Sequence, residues 1–182
     1  MAIHKPAATN ESGFTLVDLL FCCSLIGLLS TLAIPGLMRA RGVAQSASAV
    51  GTLRVVNSAQ LSFAVTCGSG FYAPDLPALG MKPPSAVTAF LPPELSSGAT
   101  FIKSGYTFSL SATPLAGAPA SCNGLSVGEA APGYVAIADP LDAADTPHFF
   151  GTNADGTIYQ HGSSLASTMP ESGPASTGTP IK

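Results

Sequence analysis

Phe14–Ile34 reads FTLVDLLFCCSLIGLLSTLAI, an apolar run interrupted by a single charge, Asp18. As an α-helix these roughly 21 residues would be about 32 Å long, enough to cross the hydrocarbon core of a bilayer. A secretory signal peptide has a shorter apolar core, a basic start and a small-residue cleavage site. Here the run is too long and the segment before it is hardly basic. The stretch is therefore expected to be a membrane-spanning helix, occupying residues 14–36 with its flanking Pro35-Gly36. Proline removes a backbone donor and crowds the preceding turn, so Pro35 should bend or loosen the helix there. An ordinary end to a membrane helix is the simpler reading of the same pair.

On either side of this run the style of the sequence changes. Residues 1–13 (MAIHKPAATNESG) are polar, carry Pro6 and show neither helical nor strand period. Downstream, over residues 37–66, a helical pattern resumes. Val43, Ala47, Val50, Leu53, Leu61 and Ala64 recur mainly at spacings of three and four, with one longer gap after Leu53. Arg39, Gln45, Ser48, Arg54 and Ser58 fall largely between them, which predicts an amphipathic helix with one face to bury. Its end is expected near Cys67-Gly68, with a glycine in the left-handed cap. Residues 68–98 are punctuated by Gly68, Gly70, Pro74, Pro77 and two Pro-Pro pairs, and should form an irregular connection with at most a short helical turn. Gly105–Ala112 alternates Tyr106, Phe108 and Leu110 with Thr107, Ser109 and Ser111, the period-two pattern of a half-buried strand. Tyr134–Ala138 reads as a second strand. His148–Gly151 and Thr157–Gln160 flank Asn153-Ala154-Asp155-Gly156 and read as a hairpin. The head is thus predicted over residues 67–161, and residues 162–182, rich in Ser, Thr, Pro and Gly, are expected to be a flexible tail.

Gly13-Phe14-Thr15-Leu16-Val17-Asp18-Leu19-Leu20, at the junction of leader and span, resembles the class III signal of type IV prepilins and type II secretion pseudopilins. The resemblance covers about residues 1–66. In that family a membrane peptidase cuts after the glycine and methylates the new amino terminus, which implies cleavage between Gly13 and Phe14 and N-methylation of Phe14. The family has an acidic residue four positions into the mature chain, here Asp18, and a helix-kinking proline near the end of the apolar stretch, here Pro35. The family's usual acid is Glu, so Asp18 reaches one methylene less far. The later part is similar in style to a pilin head, and Phe149–Tyr159 is similar to the closing hairpin of small pilin-like heads. The fold implied is α+β, a type IV pilin fold, with a long amino-terminal helix, half transmembrane and half amphipathic, packed on a small antiparallel sheet.

The resemblance implies a non-enzymatic structural subunit, a major or minor pilin or a type II secretion pseudopilin. Its expected partners are copies of itself or other pilins, the prepilin peptidase and methyltransferase, and an inner-membrane assembly platform with its ATPase. It would lie as a single-pass protein in the bacterial inner membrane before joining an extracellular or periplasmic filament. A carboxylate in an apolar span costs up to about 2.5–3.5 kcal/mol on insertion scales. In a bundle of subunits the amino group of Phe14 could lie against Asp18 of a neighbour and offset both desolvation costs; hydration of Asp18 at headgroup depth is the plainer alternative. A reading from a different class is a membrane-anchored surface protein that binds a ligand and never polymerises. Lys5 lies before the span and Arg39 and Arg41 after it, and that count favours the opposite orientation from the pilin reading.

Composition narrows the remaining classes. The chain has 182 residues, room for one ordinary domain and a terminal segment. Only 9% of residues are charged against 46% hydrophobic, and the net charge is −3 with Lys and Arg scattered singly, so no basic stripe suggests nucleic acid. Cys22 and Cys23 sit adjacent in the apolar run, where free cysteine packs as a small hydrophobe. Cys67 and Cys122 lie in polar, Gly-rich and Ser-rich stretches that suit a disulfide if this part is outside the cytosol. No metal site or cofactor is expected: Asn153–Gly156 lacks the further carboxylates of a calcium loop, and His148 and His161 have no third ligand. No Ser has the glycine pattern of a nucleophile elbow.

Overall fold

The structure is a computed structural model that describes residues 13–144 and 146–181. The expected leader, apart from Gly13, lies outside the described residues. The first helix, α1, runs Leu16–Thr66. It contributes to two compact units, one ending at Ala40 and one spanning Arg41–Lys182. In the first, the described side chains from Gly13 to Leu29 are all exposed, among them Phe14, Leu16, Val17, Leu19, Leu20 and Phe21. The side chain of Pro35 lies outside the described residues.

The second unit is a helix packed on one antiparallel sheet, so the coarse α+β class holds. After α1 come two short helices, α2 (Leu76–Gly80) and α3 (Pro93–Ser96). Six strands follow: β1 (Thr100–Lys103), β2 (Tyr106–Ser111), β3 (Val135–Pro140), β4 (Phe149–Asn153), β5 (Ile158–His161) and β6 (Thr179–Ile181). They pair in chain order, each antiparallel to the next. β2, read from alternation, the β4–β5 hairpin, read from its turn residues, and β3 lie close to where the sequence places them. β1 went unread because TFIK is short. Its pairing follows from Ser104 and Gly105, both at positive φ (50° and 81°), which close a two-residue turn between Lys103 and Tyr106.

The inner face of the sheet presents Phe108, Leu110, Ala136, Ala138, Phe150 and Ile158 to α1, which answers with Ala49, Leu53, Val56 and Phe63. The expected helix face is corrected here: Val43 and Leu61 are exposed at 70% and 60%, and Ala47 is exposed, while Leu53 and Ala64 are buried. The spacing of eight after Leu53 turns the stripe away from the sheet, and the true face includes the polar Gln60, which is 0% exposed. Gln60 is satisfied like a strand residue: its Nε2 donates to the Ala73 carbonyl at 2.8 Å and its Oε1 accepts the Ala73 N–H at 2.9 Å. Asn57 donates to Thr152 Oγ1 at 2.9 Å and accepts from the Tyr134 hydroxyl at 2.9 Å. Burial, with Tyr72 close by, pushes that hydroxyl well above the ordinary tyrosine range, so it stays a neutral donor. The cap also differs from expectation. The left-handed residues are Ser69 and Gly70, and the Gly70 N–H donates to the Ala64 carbonyl at 2.8 Å.

The flexible tail is also corrected. Residues 162–181 fold back as a strap over the outer face of the sheet, burying Leu165 completely and Met169 nearly so against Val135 and Ile137. Gly151 admits this approach, since a Cβ there would lie 2.8 Å from Met169 Cε. The strap is pinned by polar contacts as well. Asn153 Nδ2 donates to the Pro170 and Gly173 carbonyls at 3.0 and 2.6 Å, and the Glu171 carbonyl accepts the Tyr134 and Ala154 N–H groups. Its composition looked disordered because most of its Ser and Thr face water and only two large apolar side chains anchor it. With both faces covered, β3 has no solvated side along Val135–Ala138, which explains its unbroken apolar run.

Leu165→Ala should cost about 2–5 kcal/mol, the range for deleting a buried leucine; an unchanged urea midpoint would show that the strap does not contribute to the folded head. Cys67 and Cys122 are bridged, closing a separation of 55 residues. Cys67→Ser should therefore lower stability by roughly 4 kcal/mol in the chain-entropy model, and equal melting temperatures for the two proteins under oxidising conditions would contradict it.

Candidate functional site

The residues singled out by the motif sit at the start of α1. Gly13, Phe14 and Thr15 precede the helix in non-helical backbone, and Phe14 is 85% exposed. Thr15 is the N-cap. Its Oγ1 accepts the Asp18 N–H at 3.2 Å, while its own N–H and hydroxyl donate to Asp18 Oδ2 at 3.3 and 2.6 Å. This is the reciprocal arrangement of a capping box, built with Asp in place of the usual Glu or Gln at the third helical position. It satisfies two of the donors that a helix leaves unpaired at its amino end, and it sets a carboxylate where the helix dipole favours negative charge.

Asp18 was expected to depend on a neighbouring chain, and the structure gives it a partner within its own helix. Thr15 was missed as a site residue. The signal for it was present in the sequence: a Thr followed three positions later by an acid, immediately before an apolar run.

The rest of the first helical half is apolar all round, since large aliphatic and aromatic side chains are exposed at 16, 17, 19, 20, 21, 25, 26, 28 and 29. A helix without a polar face is normally covered, by protein or by lipid. Its few hydroxyls turn back on the helix: Ser24 Oγ donates to the Leu20 carbonyl at 2.8 Å, Ser30 Oγ to Ile26 at 2.7 Å and Thr31 Oγ1 to Leu28 at 2.8 Å. In an apolar medium each would therefore already be paired. Cys22 and Cys23 are free and exposed on this half. Among the described residues no single helix is long and apolar enough to cross a membrane; Leu16–Thr31 and Gly36–Thr66 meet the length and composition test as a pair with a bend between them.

Of the discounted sites, Asn153–Gly156 is a turn in which Asn153 Oδ1 accepts the Asp155 N–H at 3.2 Å. His148 Nδ1 lies 2.9 Å from Gln160 Nε2, and His161 Nδ1 lies 3.0 Å from Ser163 Oγ. Comparison of the chain with family models, with curated proteins and with solved structures finds no match.

Thr15→Ala removes both contacts of the hydroxyl, leaving only the residue-15 N–H on Asp18, and should cost the helix end about 0.5–2 kcal/mol. Amide hydrogen exchange over residues 16–18 should speed up correspondingly, with Thr15→Ser near wild type; equal protection in the alanine variant would mean that the cap carries no weight.

Proposed function

We propose that this chain is a structural subunit of a type IV pilus-like filament, cut after Gly13, methylated on Phe14 and assembled through the first half of α1. The observation that carries the reading is the unpartnered, all-round apolar helix beginning two residues beyond Phe14 and following directly on the Gly-Phe-Thr-Leu-Val-Asp motif. Such a surface needs a bilayer before assembly and other helices after it. Its hydroxyls, already bonded to the backbone, suit either environment.

In this reading the subunit sits in the inner membrane as a single-pass protein until the assembly platform and its ATPase draw it into the fibre, with Pro35 loosening the helix between stem and head. Removal of residues 1–13 creates a positive charge at Phe14, one residue from the cap. Asp18 Oδ2 is occupied by Thr15, and a carboxylate has further lone-pair sites, so Asp18 can hold its own helix end and still attract the amino group of another copy. A type II secretion pseudopilin would use the same residues for a shorter fibre. The disulfide supports an exported head, since such bonds persist outside the cytosol.

The mass of the mature protein tests processing: loss of residues 1–13 with a methyl group on Phe14 is expected, and retention of Met1–Gly13 in the native protein would end this reading in favour of a permanent anchor. Asp18→Asn and Asp18→Ala separate the two roles of the acid. Both should be cut normally and incorporate poorly into filaments if the charge matters, whereas normal filament yield from Asp18→Asn would assign Asp18 to capping alone.

A further inference from the structure

Val87 is 92% exposed, the highest value among the large apolar side chains described. It lies in an irregular segment between α2 and α3 that is held at both ends. Pro83 is buried and its carbonyl accepts the Ala86 N–H at 3.0 Å; Leu91 is fully buried and its N–H donates to the Leu79 carbonyl at 3.1 Å. Pro83-Pro84 restrict the backbone at its start and Pro92-Pro93 just beyond its end. The segment carries an exposed apolar side chain, Val87, and an exposed cation, Lys82, immediately before the first anchor.

A groove of about 530 Å³ lies along α2, with Pro77, Met81, Pro114 and Leu125 among its lining and Asp75 and Glu129 also lining it. Both carboxylates are fixed in place. Asp75 Oδ1 accepts the Ala78 N–H at 2.8 Å, and Glu129 Oε2 accepts the Ser126 N–H at 2.6 Å. Val87 and Lys82 line a separate cavity with Leu91 and Pro92, so the loop does not fill the groove of its own chain. One molecule thus carries an exposed apolar side chain with a cation and an empty apolar groove with two anions.

We propose that the 82–89 loop of one copy, from Lys82 to Ala89, docks in the α2 groove of a second copy. Val87 enters the apolar floor and Lys82 pairs with Glu129 and Asp75. The match of charge and polarity selects the occupant: a loop carrying an acid would be repelled, and a wholly apolar one would leave both carboxylates unanswered. A contact this small is weak alone and gains from copies held close together. The inference lies wholly in the head and does not depend on the filament reading.

The test uses the full chain in detergent with Cys22→Ala and Cys23→Ala, mixing a Val87→Cys population with a differently tagged Ser126→Cys population and a bis-maleimide cross-linker. Mixed dimers are expected in clear excess over Val87–Val87 dimers. Adding Lys82→Glu to the first population should cut their yield roughly tenfold, and adding Glu129→Lys to the second should restore it. The proposal is overturned by mixed dimers no more abundant than like pairs or by insensitivity to the charge reversals. Each outcome leaves cleavage at Gly13 and the role of Asp18 untouched, so failure here and failure of the filament reading are distinguishable.

Discussion

The head depends on one packing relation, the seating of the second half of α1 on the inner face of the sheet. Leu53, Val56 and Phe63 supply the apolar contact with Phe108, Ala136 and Phe150. Burial alone is not directional. Position along the helix is set by polar side chains that bond to the rest of the head: Ser46 within 3.1 Å of the Tyr106 hydroxyl, Asn57 on Thr152 and Tyr134, and Gln60 on Ala73. A shift along α1 would break these contacts together and leave the fully buried Gln60 without its partners, at about 1–3 kcal/mol for each unpaired group. The disulfide adds a covalent fix at the end of the same helix, tying Cys67 to the loop before β3.

That arrangement explains which parts of the fold were legible. β2 and the β4–β5 hairpin announce themselves because one face is solvated or the turn residues are diagnostic. The helix stripe was misplaced between Val43 and Leu61 because its buried face includes Gln60 and small Ala49, residues that a hydrophobic count passes over. β6 and the strap were illegible for a related reason. Leu165 and Met169 are the strap's fully or nearly buried large apolar side chains, and much of the remaining attachment is through backbone groups: carbonyls received by Asn153, Tyr134 and Ala154, and the β5–β6 ladder. Composition reports side chains, and backbone attachment is invisible to it.

At the other end of the chain, the resemblance to the prepilin signal singled out Gly13, Phe14 and Asp18 and left open how they relate. Thr15 was passed over although it is the residue that receives Asp18. The contact is local, three positions apart, so a propensity reading can reach it once the start of the helix is treated as a set of unpaired donors to be accounted for.

The cap changes the physical case for assembly. An acid in an apolar span was taken to need a neighbour because nothing nearby could compensate it. Thr15 supplies two donors to Oδ2, and the helix dipole adds a favourable field, so the cost of Asp18 before assembly is lower than that of a bare carboxylate. What its own helix cannot supply is a formal positive charge. On the proposed filament reading, that distinction assigns separate tasks to one side chain: hydrogen bonding begins the helix, while the residual charge is left for the amino group that cleavage at Gly13 would create.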